Sequence, residues 1–79
     1  MIRMASSNAP TNKDIAFAAV DSGFCSAVEK ALGVLQDSLI NDPSTTGRRG
    51  AQDRFTIALK TALDARSVAR TVVDSVVTN

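Results

Sequence analysis

From Ile15 onward the apolar residues recur at steps of three and four. Phe17, Val20, Phe24, Val28, Ala31, Leu35 and Leu39 make one stripe, the spacing of a single helix face. Ala16, Ala27, Leu32, Val34 and Ile40 form a second, while Asp21, Ser22, Ser26, Glu29, Lys30, Gln36 and Asp37 occupy much of the remaining circumference. Thr11 marks the start. Its hydroxyl can accept from the first turn, Asp14 three residues on completes an approximate capping box, and a carboxylate there suits the positive end of the helix dipole. The pattern predicts a helix over about 13–40. Gly23 is its weak point, because glycine in a helix interior costs about 1 kcal/mol against alanine. Ser26 and Glu29 offer a second cap, so a kink at Gly23 or a later start both stay open.

A strong break follows. Asn41 and Asp42 favour local side-chain turns, and Pro43 lacks an amide hydrogen and pushes Asp42 away from helix. With Ser44, Thr45, Thr46 and Gly47 behind them, these turn residues (Asn41, Asp42, Pro43) predict a loop over 41–50. Arg48-Arg49-Gly50 either ends it or forms a ragged first turn. A second helix is predicted over about 51–77. Phe55, Ala58, Leu59, Ala62, Ala65, Ala69, Val72, Val73 and Val76 form its broad apolar face, with Lys60, Asp64, Ser67, Thr71 and Asp74 opposite. Ile57, Leu63, Val68 and Val77 lie off that face. Arg70 and Asp74 stand at i,i+4 spacing. The β-branched run through 71–78 weakens helix propensity, leaving a terminal strand as the minority alternative. Residues 1–12, small and polar with Pro10, read as a flexible arm.

These elements predict an all-α fold, a two-helix antiparallel hairpin (13–79) behind an N-terminal arm. A chain of 79 residues is marginal as a lone domain, since such chains bury only about 60% of their unfolded surface. Disulfides, a metal or oligomerisation usually make up the shortfall. One cysteine and no histidine exclude an internal disulfide and make a poor metal site. In a thin rod only one stripe per helix faces the other. The excess apolar surface therefore predicts self-association into a filament or bundle, with Phe17, Phe24, Val28, Leu35, Leu39, Phe55, Leu59, Leu63, Val72, Val73 and Val76 as the assembly faces.

Net charge is +1, too small for a global field that draws nucleic acid or membrane. The halves differ: residues 1–43 hold Arg3, Lys13 and Lys30 against five acidic residues, and residues 44–79 hold six basic residues against Asp53, Asp64 and Asp74. Opposite signs can help the helices or their copies pair. No apolar run reaches the roughly 18–20 residues that span a bilayer, so no membrane insertion is expected. The N-terminus lacks the apolar core of a cleaved signal peptide.

The inventory for chemistry is poor. Histidine, the commonest general acid or base, is missing, and the carboxylates scatter among basic residues, so no enzyme activity and no cofactor are expected. Cys25, beside Phe24, is expected to be buried as a small hydrophobe. Asp37-Ser38-Leu39 is similar to the modified tripeptide of acyl carrier proteins, but the serine precedes a break instead of opening a helix. Arg48 and Arg49, with Arg54 close by, form the one basic cluster. No aromatic residue accompanies them to stack on bases, so a solvated loop is favoured over nucleic-acid contact.

Leu39-Ile40-Asn41-Asp42-Pro43, Ala51-Gln52, Ser67 and Arg70-Thr71-Val72-Val73-Asp74-Ser75-Val76 together resemble the needle subunits of bacterial type III secretion systems, over roughly residues 24–79. The family often carries a second proline where this chain has Thr45-Thr46-Gly47, and tyrosines in its second helix where this chain has none. The resemblance implies a structural subunit that polymerises into a hollow helical filament, a conduit for unfolded effector proteins. Its partners would be other copies, the secretion apparatus, tip proteins and chaperones. It further implies secretion to the bacterial surface without a cleaved signal, and Arg66, Ser67, Arg70, Asp74 and Asn79 as candidate lumen-lining residues. The alternative is a small helical-hairpin homodimer, cytoplasmic, that binds RNA, DNA or a protein partner as a regulator or adaptor.

Overall fold

The computed structural model describes residues 9–78. Two helices carry the chain: α1, Asn12–Asn41 (30 residues), and α2, Thr45–Val76 (32 residues). At 1.5 Å per residue they are about 45 and 48 Å long. The expectations for the arm over residues 1–8, and for Asn79, lie outside the described residues.

The start of α1 follows its sequence signal. Thr11 Oγ1 accepts from the Asp14 amide at 3.0 Å, and the Thr11 amide donates to Asp14 Oδ2 at 3.2 Å, a reciprocal capping box. The helix runs unbroken through Gly23, and the second cap at Ser26 and Glu29 is not used. The cost of one glycine is small beside the packing of Val20, Phe24 and Val28 on either side of it.

The break is much shorter than predicted. Only Asp42, Pro43 and Ser44 separate the helices, and Thr45–Gly50 belong to α2, not to a loop. Asn41 is the last residue of α1. Ser44 is the N-cap, its Oγ accepting from the Gly47 amide at 3.0 Å. The same hydroxyl donates to Asp42 Oδ1 at 2.7 Å, and the Ser44 amide reaches that oxygen at 3.3 Å. Asp42 itself donates its amide to the Ser38 carbonyl at 2.9 Å and so closes α1. One aspartate and one serine therefore satisfy backbone groups at both helix ends.

At its far end α2 stays helical through Thr71-Val72-Val73 to Val76, and the Val77 amide bonds back to the Val73 carbonyl at 2.9 Å. The terminal strand is thereby excluded. Val73 packs on α1, and that tertiary contact outweighs β-branched propensity.

The helices pack antiparallel along one seam. On α1 it holds every residue of the first stripe, from Phe17 to Leu39, all half-buried. On α2 it holds Ala51, Phe55, Leu59, Ala62, Arg66, Ala69, Arg70 and Val73. Among the described residues only Ala51, 2% exposed, is buried. The radius of gyration, 18.5 Å, compares with about 12 Å for a compact chain of this length. Polar contacts fix the register. Lys13 pairs with Asp74 at 3.2 Å, Arg66 and Arg70 reach Asp21 at 3.5 and 3.3 Å, and Arg54 meets Ser38 Oγ at 3.4 Å near the turn. Asp21 with Arg66 and Arg70 follows the net charges of the two halves, and Lys13 with Asp74 runs against them. Arg70 and Asp74, expected to pair within α2, each take a partner on α1 instead.

Candidate functional site

At 100° per residue, the residues flanking the seam fall on two unlike faces. On one, Val20, Gly23, Ala27, Ala31 and Val34 of α1 stand beside Ala58, Thr61, Ala65, Val68 and Val72 of α2. Small side chains along the middle leave an open groove of about 680 Å³ between the helices, with Lys30 at its α1 edge and Ala62 at its floor. It continues toward the open end past Ala19 and Ala69, and toward the turn past Ser38 and Phe55.

The other face carries the charge network. The Asp21 carboxylate is shared by Arg66 and Arg70, whose guanidinium carbons lie 5.0 and 4.5 Å from the ring centroids of Phe24 and Phe17. Each arginine therefore has a carboxylate and an aromatic face as partners, the geometry of a cation–π contact. Further along this face Leu32 and Leu63 are exposed and Leu59 is half-buried. Cys25 also lies here, exposed, against the expectation of burial. It follows the seam residue Phe24 by one position, and a turn of 100° carries it off the seam.

The residues expected to form assembly faces divide in two. Phe17, Phe24, Val28, Leu35, Leu39, Phe55, Leu59 and Val73 meet across the seam within the chain, while Leu63, Val72 and Val76 are exposed. Ile57, 65% exposed, and Ile40, 76% exposed, lie outside the seam with Ile15, Leu32, Val34 and Val68. Of the candidate lumen residues, Arg66, Arg70 and Asp74 contact α1, and Ser67 is exposed on the far side of α2. Sequence reasoning missed Asp21 and Lys13 as the partners of these residues. For Asp21 the one signal was the opposite net charge of the two halves, while Lys13, a cation in the net acidic half that pairs with an anion in the net basic half, had none.

The turn is the other local feature. Two hydrogen bonds from Ser44, the side-chain one foremost, hold the Asp42 carboxyl below the usual aspartate range, because both favour the charged form. Arg48 and Arg49 are exposed in the opening turns of α2. Among the described residues no helix is long and apolar enough to cross a membrane. Comparison with protein-family models, curated proteins and solved structures finds no match for the chain.

Proposed function

We propose that the chain is a structural subunit that assembles with copies of itself into a helical filament. The observation that carries this reading is the near-absence of an interior. One described residue is buried, while nine large apolar side chains, Ile15, Leu32, Val34, Ile40, Ile57, Leu63, Val68, Val72 and Val76, are exposed. One cysteine and no histidine offer so thin a hairpin no internal disulfide and a poor metal site, which favours contact with other copies over a foreign partner only in that no partner surface need be supplied. Apolar surface distributed around both helices favours several contacts per subunit over one.

The type III secretion needle is the specific form of this proposal. A rod of two antiparallel helices joined at Asp42-Pro43 suits a subunit packed side by side along a filament. In that reading the filament conducts unfolded effectors, the subunit reaches the bacterial surface, and its partners are the secretion apparatus, tip proteins and chaperones. A polar lumen suits transport, because an apolar wall would hold unfolded chains too tightly to release them. Ser67 is exposed for such a role. Arg66, Arg70 and Asp74 would serve it while tying α2 to α1.

Sedimentation velocity and negative-stain electron microscopy at rising concentration test the proposal. The expected result is growth into ever-larger filaments, stopped by removing the last few residues. A discrete dimer at every concentration would replace it with the regulator or adaptor reading. An oligonucleotide shift that weakens with salt and disappears in Arg48→Ala/Arg49→Ala would make that dimer a nucleic-acid binder.

A further inference from the structure

The two faces of the hairpin differ in relief as well as charge. The groove is floored by Gly23, Ala27, Ala31, Ala62 and Ala65, so a helix can approach it closely. The opposite face projects Leu32, Leu59 and Leu63, with Leu32 and Leu63 about half exposed. In the antiparallel register set by Asp21 with Arg66 and Lys13 with Asp74, Leu59 and Leu63 stand at the levels of Val28 and Phe24 on α1. That is the level of the groove floor on the other face. Protrusions and hollows thus lie back to back at the same height along the rod.

We propose that the leucine face of one copy seats in the alanine groove of the next, with the two rods side by side in the same orientation. Charge favours the same occupant. Glu29 lies at the α1 edge of the leucine face and Lys30 at the α1 edge of the groove. Stacking in register brings Glu29 of one copy beside Lys30 of its neighbour, whereas groove against groove sets Lys30 on the same apolar surface twice. The groove extends from Ala19 to Ser38, about 28 Å, and the rod is two helices wide, so a contact along its whole length, which also covers the Asp21–Arg66 pair, buries roughly 1,100 Å² in total, above the about 1,000 Å² a biological interface should clear and just below the about 1,200–2,000 Å² of standard ones. Because the two surfaces differ, each added copy brings a free surface of its own, and the contact propagates into an open filament when the rotation between copies does not close a ring. This inference rests on the reading of the chain as a self-assembling subunit and names the surfaces that do it.

Cys25, exposed on the leucine face as the chain's one cysteine, supplies the test. Ala27 lies across α1 from it, two residues on, in the groove. The full chain carrying Ala27→Cys is assembled, oxidised and run on a non-reducing gel. The expected result is a ladder of covalent multimers. Unaltered chain with Cys25 alone, and Ala27→Cys combined with Cys25→Ser, should each stay monomeric on the gel. A covalent dimer from either single-cysteine chain would show like faces packed together and overturn the proposal. So would filaments that form but give no ladder, leaving self-assembly intact with other surfaces responsible. A chain that sediments as a monomer at every concentration would overturn the parent reading and this inference with it. As a second measurement, Ala65→Trp should fill the groove and raise the concentration needed for assembly at least tenfold, with helical circular dichroism unchanged. Assembly unaffected by that tryptophan would count against the groove.

Discussion

Gly47 lies against Asp42 so closely that a Cβ built on it would overlap both the carboxyl group and the backbone carbonyl of Asp42. The contact follows from a three-residue linker in which Asp42 bonds to Ser44 and Ser44 caps Gly47. A backbone atom cannot swing aside as a flexible side chain can. Gly47→Ala should therefore destabilise the hairpin by about 1–3 kcal/mol, read as a lower denaturation midpoint. Gly33→Ala is the control. A Cβ there meets nothing within 4 Å, so that variant should gain up to about 1 kcal/mol from helix propensity.

Asp42 also makes the turn sensitive to acid. Its carboxyl titrates below the ordinary range because it accepts from Ser44. A depressed folded-state pKa means that the unfolded chain takes up the proton first as pH falls. The stabilisation is complete above the ordinary aspartate value, about 3.9, and is lost as pH falls through the lower folded-state value. Melting temperature followed from pH 6 to pH 2 should show this decline, and Asp42→Asn should make it shallower. An unchanged acid limb in Asp42→Asn would show that other carboxylates govern it.

Arg70 engages both Asp21 and the Phe17 ring. The pair is about half exposed, so the ionic part is worth at most about 1 kcal/mol, with a comparable contribution from the aromatic contact. Arg70→Ala should cost about 1–1.5 kcal/mol. An Asp21→Ala/Arg70→Ala double-mutant cycle should give a coupling of roughly 0.5 kcal/mol that shrinks in 1 M salt. A coupling insensitive to salt would assign the effect to packing.

Seam and outer surface should separate experimentally. Phe24→Ala removes a half-buried ring from the seam and the platform beneath Arg66. It should cost about 2–4 kcal/mol, less than a fully buried site would lose at the upper end, and reduce helicity. Ile57→Ser, on the outside of α2, should leave helicity unchanged and stability within about 0.5 kcal/mol of the unaltered chain while weakening assembly in sedimentation. If both variants lost structure equally, the outer apolar residues would be part of the fold, and the self-assembly reading would lose its main support.

Much of this molecule was legible from residue spacing. The stripe from Phe17 to Leu39 is the face α1 turns to α2, and Thr11 with Asp14 caps it as written, because both depend on contacts within one or two helical turns. The N-cap at Ser44 was hidden by the residues after it. Thr45, Thr46, Gly47 and Gly50 favour loops individually, yet Gly47 is needed in the helix where Asp42 crowds it. Asp21 and Lys13 were not legible as partners of Arg66, Arg70 and Asp74. Pairing across dozens of residues depends on the register of two rods, and neither helix encodes that register alone.

Local order therefore belongs to the chain itself: two amphipathic helices, the proline break, and more apolar surface than one seam covers. Those properties arise from neighbours a few residues apart. Tertiary packing decided the rest. It drew Arg66 and Arg70 onto phenylalanine rings, turned Cys25 outward, and left leucines on one face and an alanine groove on the other, because only fixing the helices side by side determines which flanks share a surface.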